Sequence, residues 1–228
     1  MYSQQIIEWG EPLEGRQQPT PEPEGTQVLL KVDACGICHS DLHIWEGAFD
    51  LGGGKKITLS ERGLKLPFTM GHEVVGEVIA LGPDAEGAAV GDKRVVYPWI
   101  GCGDCNACQR GDELLCVMPI TVGTRRAGGY SDHVIVPHAR YLVDYSGVPT
   151  NLACTYACSG LTAFSALKKA ASAIGENDHL VIIGAGGVGL SGVLFAPHVI
   201  KGKVIVADID ADKRSVARQS GAWETVDN

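Results

Sequence analysis

The sequence predicts an α/β chain of two domains, because a β-rich first part is followed by alternating strands and helices. Short β-type runs separated by Gly, Pro and Asp turns fill much of residues 1–155, which favours a barrel or a sandwich. The clearest of these runs are 27–32, 74–79, 93–97 and 133–136. From about Leu161 a helical pattern precedes two strand-helix repeats, which is typical of a doubly wound parallel sheet. We therefore expect one domain at 1–155 and a second at 156–228.

Composition and charge exclude several classes of partner. The 228 residues are 45% hydrophobic and 20% charged, as in an ordinary globular protein. The net charge is −8 without a dense Lys/Arg run, so we expect no nucleic-acid partner. The start of the chain has no basic stretch followed by an apolar one, which favours the cytoplasm. The apolar run 180–200 imitates a membrane span, but its clustered glycines indicate a strand, a tight turn and a helix, so we expect no membrane partner.

The chain has eight cysteines, and in a reducing compartment this number favours metal ligation or redox work. Disulfides are the alternative, but a reducing compartment disfavours them. Four cysteines follow the spacing Cys102-x2-Cys105-x2-Cys108-x7-Cys116 in a loop-like stretch, so that their thiolates can converge tetrahedrally on Zn²⁺. An iron-sulfur cluster is the other metal that fits thiolates, but the spacing lacks the ferredoxin pattern. A closed four-thiolate site has no open position, so we expect it to brace the loop rather than to catalyse.

A second group consists of Cys38, His72 and Cys158, which are far apart in sequence. Taken singly, each has an ordinary structural explanation, as a buried core thiol or a hydrogen-bonded core histidine. Their neighbours favour a metal site, because Glu73 follows His72 and a run of polar residues follows Cys38, as second-shell support requires. From the residues alone, both interpretations remain open.

A glycine turn indicates a dinucleotide site. The pattern Gly184-x-Gly186-x-x-Gly189 follows a strand at 179–183 and opens a helix, and Asp208 ends the next strand about twenty residues later. Such glycines let the backbone approach a pyrophosphate at the helix N-terminus, while the carboxylate accepts hydrogen bonds from ribose hydroxyls. An acidic group with no Arg immediately after it favours NAD over NADP.

Together these motifs resemble those of zinc-dependent alcohol dehydrogenases of the medium-chain dehydrogenase/reductase superfamily. The segment 47–67 and the Pro98-Trp99 pair are similar to the tetrameric bacterial and archaeal branch. The matching motifs are Cys35-Gly-Ile-Cys38-His39-Ser40-Asp41-Leu-His43, Gly71-His72-Glu73, Val90-Gly-Asp92-Lys-Arg-Val95, the four-cysteine loop, Cys158-Ser-Gly160-Leu-Thr162 and Gly184 to Gly189.

The resemblance implies a GroES-like β-barrel catalytic domain followed by a Rossmann domain. It also implies two zinc ions per chain, NAD(H), a small alcohol or carbonyl substrate, and a homo-oligomer, either a tetramer or a dimer. The chain departs from the family in its dinucleotide domain, which has two strands and the start of a third instead of about six, so this domain looks truncated. We expect the 228-residue chain alone to be inactive.

The resemblance also implies roles for individual residues. The catalytic zinc would be held by Cys38, His72 and Cys158, and the structural zinc by Cys102, Cys105, Cys108 and Cys116. Around the catalytic zinc, Asp41 would orient His72, Glu73 would lie behind the metal, Ser40 and His43 would relay a proton, and Trp99 would line the substrate pocket. The cofactor would contact His39, Thr162, Gly184, Gly186, Gly187, Val188, Gly189, Asp208 and Lys213. Cys154 is interpreted as a core thiol.

Two other functions compete with an NAD-dependent alcohol dehydrogenase. One is a polyol-specific or aldehyde-specific dehydrogenase of the same superfamily. The other is a non-catalytic zinc-binding module in which the four-cysteine loop mediates binding. The number of zinc ions per chain separates the enzyme, with two, from the module, with one.

Overall fold

The computed structural model describes all 228 residues and divides into two compact units, Met1–Ala157 and Cys158–Asn228. The division lies two residues beyond the boundary predicted at 155. None of the helices combines the length and the apolar character that crossing a bilayer requires. Each unit has a hydrophobic cluster of its own.

The first unit is dominated by β-structure. Its strands are β1 (Tyr2–Gln5), β2 (Glu14–Gln17), β3 (Val28–Gly36), β4 (Ala48–Asp50), β5 (Lys56–Thr58), β6 (Glu73–Leu81), β7 (Lys93–Val96), β8 (His133–Val136) and β9 (Leu142–Val143). Its α-helices are α1 (His39–Glu46), α2 (Asn106–Gln109) and α3 (Thr150–Ala153). Short 3₁₀ turns occur at Glu113–Leu115, Ala139–Tyr141 and Cys154–Ala157.

A five-stranded antiparallel sheet in the order β8-β3-β6-β7-β9 forms the centre of this unit. Alternate side chains of its strands, including Val28, Leu30, Val74 and Val78, are fully buried in the main cluster. This period-2 burial is what alternating β-branched residues favour. The register pairs Gly36 at the end of β3 with Glu73 at the start of β6, and this pairing determines where the site is built.

The second unit is an alternating α/β structure. Its helices are α4 (Ser159–Ala170), α5 (Gly187–Val199) and α6 (Ala211–Gln219), with a 3₁₀ turn at Ala171–Ala173. Its strands, β10 (His179–Ile183), β11 (Lys203–Ala207) and β12 (Glu224–Val226), form a parallel sheet in that order. Val193, Ala196 and Val206 are among the residues buried between sheet and helices.

The predicted fold class is confirmed, and the strands predicted at 27–32, 74–79, 93–97 and 133–136 are all present. Strands β4 and β5 form a hairpin. Gly52, Gly53 and Gly54 all have positive φ and close the turn, and Phe49 and Ile57 are partners across it. Strands β1 and β2 and helix α1 were not predicted.

Candidate metal centres and nucleotide site

The pairing of β3 with β6 brings Cys38 and His72 together. Cys38 lies two residues beyond the last residue of β3, and His72 lies one residue before the first residue of β6. His72 has no exposed surface, and its Nε2 has no hydrogen-bond partner. Buried polar atoms are nearly always paired, so an unpartnered imidazole nitrogen next to a thiol has the chemistry of a metal ligand.

Asp41 holds His72 from behind. Its Oδ1 lies 3.1 Å from His72 Nδ1, and its Oδ2 accepts hydrogen bonds from the Cys38 amide at 2.8 Å and from the Tyr130 hydroxyl at 3.2 Å. Asp41 sits in the first turn of α1, and its side chain is about 1% exposed. A carboxylate on Nδ1 favours the tautomer whose Nε2 lone pair is free, which is how second-shell carboxylates orient ligating histidines.

The electrostatics around His72 favour positive charge despite burial. Burial opposes protonation of the ring, but the hydrogen bond that the ring donates to Asp41, together with the Cys38 side chain, outweighs burial and raises the pKa of His72 to about 9. Burial and the Asp41 charge raise the pKa of Tyr130 well above its usual range, so the phenol stays a donor to Asp41. Negative groups surrounding a buried ligand nitrogen would also attract a metal cation.

The third predicted ligand, Cys158, is joined by a peptide bond to Ala157, the last residue of the first unit. The ligand atoms of Cys38, His72 and Cys158 lie within 4.8 Å of one another. Two thiols and one imidazole leave the fourth position of a tetrahedron open, as in catalytic zinc sites. Glu73 is also buried, and its carboxylate packs so closely on Gly36 that a side chain there would come within 2.2 Å of Oε2.

The four-cysteine loop has the dimensions of a tetrahedral thiolate site. The Sγ atoms are 3.6 Å apart for Cys105 and Cys108, 3.8 Å for Cys105 and Cys116, and 4.0 Å for Cys102 and Cys108. Zinc-sulfur bonds of about 2.3 Å in a tetrahedron require sulfur atoms about 3.8 Å apart. All four ligand atoms lie within 4.8 Å of one another, and no disulfide joins them.

Backbone amides prepare these sulfurs for negative charge. The amide of Cys102 donates to Cys116 Sγ at 3.3 Å, and the amide of Cys105 donates to Cys102 Sγ at 3.4 Å. The Cys108 amide, and to a smaller extent the neighbouring thiols, lower the pKa of Cys105 to about 6. Burial and the neighbouring sulfurs raise the pKa of Cys108 to about 12, so the first thiolate forms at Cys105. Thiolates are the form that binds metal.

Glu113 connects the four-cysteine loop to the rest of its unit, a role that no motif in the sequence indicates. Its Oε2 accepts from the Gly101 amide at 2.9 Å and from the Tyr141 hydroxyl at 2.7 Å, and its Oε1 lies 3.0 Å from Arg140 Nη2. Burial raises the pKa of Glu113, but these donors outweigh burial and hold it below its ordinary value. The loop is therefore anchored by an ionised carboxylate as well as by any metal.

A cavity of about 420 Å³ lies in the first unit. Its lining includes Ser40, two residues after Cys38, and Trp99, whose ring centroid lies 5.8 Å from that of His72. The indole Nε1 donates to the Ala157 carbonyl at 3.2 Å, which fixes the ring. The structure thus brings the predicted substrate residue Trp99 and the predicted relay residue Ser40 to one cavity, and their roles stay predictions.

The imidazole of His43 lies between the rings of His39 and Phe49. The ring centroids are 4.8 Å from His39 and 5.1 Å from Phe49. Its Nδ1 is buried without a hydrogen-bond partner and lies 3.6 Å from the nearest carboxylate oxygen, on Glu46. A buried nitrogen without a partner is available for a hydroxyl group of a ligand.

The glycine turn has the shape that a pyrophosphate requires. Gly184 has φ of 91°, and a side chain at Gly189 would come within 1.9 Å of the Gly184 carbonyl oxygen, so both positions require glycine. Side chains at Gly186 or Gly187 would meet no atom within 4 Å. The space in front of the first residues of α5 is therefore open, and Val188 in the first turn is half exposed.

Asp208 follows the last residue of β11, as the dinucleotide pattern predicts. Its Oδ2 accepts from the Ala185 amide at 2.7 Å and its Oδ1 from the Asp210 amide at 2.8 Å. These two amides, with Lys213 as a smaller contributor, lower the pKa of Asp208. Asp208 therefore connects the glycine turn to the start of α6 as a carboxylate.

The remaining predicted residues take simple positions. Thr162 lies in α4, where its amide donates to the Cys158 carbonyl at 2.9 Å. Cys154 is 3% exposed and belongs to a buried cluster with Val75 and Ala157. Tyr130, which the sequence did not single out, bonds to Asp41 from 89 residues away, a separation at which no local spacing rule applies.

Comparison with known proteins agrees with this arrangement. Residues 24–147 match the alcohol dehydrogenase GroES-like domain family. Because this match covers more than half of the chain, the chain belongs to that family, and the resemblance to alcohol dehydrogenases is confirmed.

Several individual proteins are similar over almost the whole chain. An NAD-dependent alcohol dehydrogenase of Sulfurisphaera tokodaii is 36% identical, over 97% of this chain and 62% of that protein. An L-threonine 3-dehydrogenase of Coxiella burnetii is 30% identical, over 92% of this chain and 58% of that protein. The crystal structure of the alcohol dehydrogenase from Aeropyrum pernix superposes with a TM-score of 0.86 at 26% identity, over 100% of this chain and 64% of that one. The chain thus spans about three fifths of the length of these relatives.

Proposed function

We propose that the protein is a zinc-dependent oxidoreductase that interconverts alcohols with aldehydes or ketones and uses NAD(H). The main observation behind this proposal is the three-ligand set of Cys38, His72 and Cys158, whose ligand atoms lie within 4.8 Å of one another. A cavity of substrate size lined by Ser40 and Trp99 supports it. The relatives named as NAD-dependent alcohol dehydrogenases support the same reaction.

The residues around His72 would prepare the substrate end of the reaction. Zinc, when bound by Cys38, His72 and Cys158, supplies a Lewis acid that makes an alcohol hydroxyl more acidic. Asp41 holds the His72 ring so that Nε2 faces the other ligands, and Tyr130 holds Asp41. Glu73 keeps a carboxylate behind the ligand set.

Ser40 and His43 would move the alcohol proton away. Ser40 lines the cavity, and His43 has a buried Nδ1 that no protein group occupies. Imidazole side chains are common proton shuttles in catalytic sites. We propose that the proton moves through these two side chains and that the Trp99 indole, which lines the cavity, helps to keep water out of it.

The glycine turn and Asp208 would hold the cofactor, whose nicotinamide accepts the hydride. The open space at Gly186 and Gly187 would take the pyrophosphate, and Asp208 and Lys213 would lie at the adenosine ribose. His39 and Thr162 would make the remaining cofactor contacts. The preference for NAD over NADP rests on the carboxylate of Asp208, which repels a 2′-phosphate.

The four-cysteine loop would carry a second zinc ion that stabilises the fold. Its thiol spacing supports a closed tetrahedral site with no room for substrate. The proposal also keeps the cytoplasmic location and the homo-oligomeric state expected from the sequence.

A dehydrogenase acting on a polyfunctional alcohol is the second candidate. The similarity to an L-threonine 3-dehydrogenase favours it, because the same domain family serves substrates with additional polar groups. The two candidates share the metal site and the cofactor site and differ only in the lining of the cavity.

Zinc stoichiometry tests the proposal directly. We expect two zinc ions per chain by elemental mass spectrometry, and one in the variants Cys38→Ser and Cys102→Ser. Cys154→Ser is the matched control, because Cys154 is a buried thiol that donates to the Asn151 carbonyl, and serine can do the same. One zinc ion per chain, lost in Cys102→Ser but not in Cys38→Ser, would favour a zinc-binding module instead.

The cofactor site has its own test. We expect Gly186→Ala to leave the melting temperature within about 1 °C, since its side chain would meet no atom, while weakening ADP-ribose binding at least tenfold by blocking the pyrophosphate. Unchanged binding by calorimetry would contradict the assignment of the glycine turn.

A further inference from the structure

We propose that the cavity lined by Ser40 and Trp99 takes an alcohol that also carries an anionic group, and that Arg125, assisted by Arg62, binds that group. This inference rests on the proposed function and narrows its substrate class. It concerns binding in the first unit, so it can be tested separately from hydride transfer.

The walls of the cavity are apolar. Six hydrophobic side chains line it: Ile44, Phe49, Leu51, Ile57, Leu59 and Trp99. Such a lining suits a short carbon chain, and a volume of about 420 Å³ is within the range of small-molecule sites. Apolar walls alone would favour a simple alkyl alcohol, so the polar residues decide the class.

The polar lining contains two arginines and no acidic residue. Besides Ser40 and Thr124, the lining residues with polar side chains are Arg62 and Arg125. The whole chain carries a net charge of −8, so two cations without a carboxylate at one cavity depart from the general charge of the molecule. Positively charged side chains in a cavity with apolar walls concentrate anionic ligands.

Arg125 is held in place at the cavity. The amides of Arg125 and Arg126 both donate to the Thr121 carbonyl, at 2.9 and 3.2 Å, which closes a tight turn. Its Nη1 donates to the backbone carbonyl of Arg62 at 2.7 Å. This bond joins the turn to the segment after the β4-β5 hairpin and fixes the guanidinium between them.

The guanidinium of Arg125 has unused donors. Arginine carries five N–H donors, and the structure uses one of them, in the bond to Arg62. Neither Arg125 nor Arg62 forms an ion pair with a carboxylate, and the same is true of Arg126 and Arg218, whereas the other five arginines, Arg16, Arg94, Arg110, Arg140 and Arg214, all do. A preorganised guanidinium without an anion at an apolar wall matches a carboxylate or a phosphate group.

The segment around Arg62 adds to the positive field. Residues 51–66 contain Lys55, Lys56, Arg62 and Lys65 against a single acidic residue, Glu61, which gives a charge of +3. The Glu61 carboxylate is engaged by the Thr58 hydroxyl. The segment 51–66, which supplies Leu51, Ile57, Leu59 and Arg62 to the cavity lining, is thus basic in an acidic protein.

A series of ligands with five carbon atoms each tests the inference. For the zinc-loaded protein we would measure dissociation constants by ligand-observed NMR for 1,5-pentanediol, 5-hydroxypentanoate and 5-hydroxypentyl phosphate. We expect at least about tenfold tighter binding of both anions than of the diol, because charge-assisted hydrogen bonds are the stronger kind. The preference should shrink as salt rises. The order of the two anions distinguishes a carboxylate substrate from a phosphate substrate.

Variants assign the effect to Arg125. Arg125→Gln should reduce the preference for the anions to less than about threefold, and Arg125→Lys should retain part of it. The matched control is Arg16→Gln, which removes an exposed cation paired with Glu14 in the hairpin formed by β1 and β2.

Two results would overturn the inference. One is equal affinity for the diol and the anions in the unaltered protein, which needs no variant and so is unaffected by misfolding. The other is a full preference that survives both Arg125→Gln and Arg62→Gln. Either result would leave the zinc count, and with it the proposed function, untouched, since the zinc ligands are other residues.

Discussion

The two groups of side chains proposed to bind metal are built in opposite ways. The four-cysteine loop takes its ligands from one short segment, all of one kind, on a partly exposed loop. The other group joins a cysteine after β3 with a histidine before β6, which is fully buried, and a carboxylate holds the histidine. The first arrangement fills a tetrahedron, and the second leaves one position open.

The difference shows which group depends on the fold and which supports it. Cys38 and His72 meet only after β3 and β6 pair, because their separation in sequence is closed by that register. The four thiols need no sheet, and their loop instead gains order from them and from Glu113. We therefore expect loss of the first group to abolish chemistry and loss of the second to lower stability.

Cys38→Ser should show the largest effect on the reaction. Removal of a ligand from the open site should lower turnover by at least about 10³, because several kcal/mol of Lewis-acid stabilisation are lost. The melting temperature should change by less than about 3 °C. Alcohol oxidation and thermal unfolding would be measured on the same preparation of each variant. The comparison requires a preparation in which the unaltered protein oxidises the alcohol. A stability loss as large as that of Cys102→Ser would break the comparison.

Cys102→Ser should show the largest effect on stability. Loss of the loop metal should lower the free energy of unfolding by about 4 kcal/mol, or the melting temperature by roughly 10 °C. Calorimetry with and without a chelator measures it. An unaltered protein whose unfolding does not respond to the chelator would show that the loop carries no structural metal.

Asp41→Asn should have an intermediate effect. An amide holds His72 less firmly than a carboxylate, so we expect metal affinity at the open site to fall about 10- to 100-fold, with the loop site unaffected. Competition with a chromogenic zinc chelator provides the measurement. Asp132→Asn is the matched control, because Asp132 contacts His133 Nδ1 at 2.7 Å outside both ligand groups. Equal losses in both variants would refute a specific role for Asp41.

The pH dependence of Cys105 should show the smallest effect. In the metal-free protein its pKa of about 6 lies below the ordinary 9.0, so the thiolate contributes stability at high pH that is lost as the pH falls through about 6. At pH 7 it should be alkylated several-fold faster than an ordinary thiol. Peptide mapping after iodoacetamide labelling measures the profile, with Cys154, whose pKa burial raises, as the control. A midpoint near 9 would contradict the amide contacts.

Local patterns carried the predictions that the structure supports most directly. The four cysteines lie close in sequence, and their sulfurs are close in space. The strand, glycine turn and acidic residue of the second unit also lie where their pattern indicates, because each contact spans one β-α-β repeat. Strands of the large sheet were predicted from short β-type runs between turns, which are also local patterns.

Contacts across long sequence separations could not be predicted from spacing. Tyr130 reaches Asp41, and Arg125 reaches the carbonyl of Arg62, through packing that no local rule encodes. Helix α1 was missed although it carries Ser40, Asp41 and His43, because its eight residues begin with three polar ones and show no clear apolar stripe at helical spacing. The roles predicted for Ser40, Asp41 and His43 came from the resemblance to a known family, because the residues alone left them open.

The bond between Arg125 and Arg62 bears on how this protein can acquire new specificities. It joins the tip of one turn to the segment after a hairpin, and neither segment contains a metal-binding residue. Under the proposed function, the segments that line the cavity could therefore change while the proposed metal ligands after β3 and before β6 stay unchanged. Evolution or laboratory recombination could vary residues 48–66 together with the 121–126 turn. The two segments would have to keep the hydrogen bond from Arg125 Nη1 to the Arg62 carbonyl.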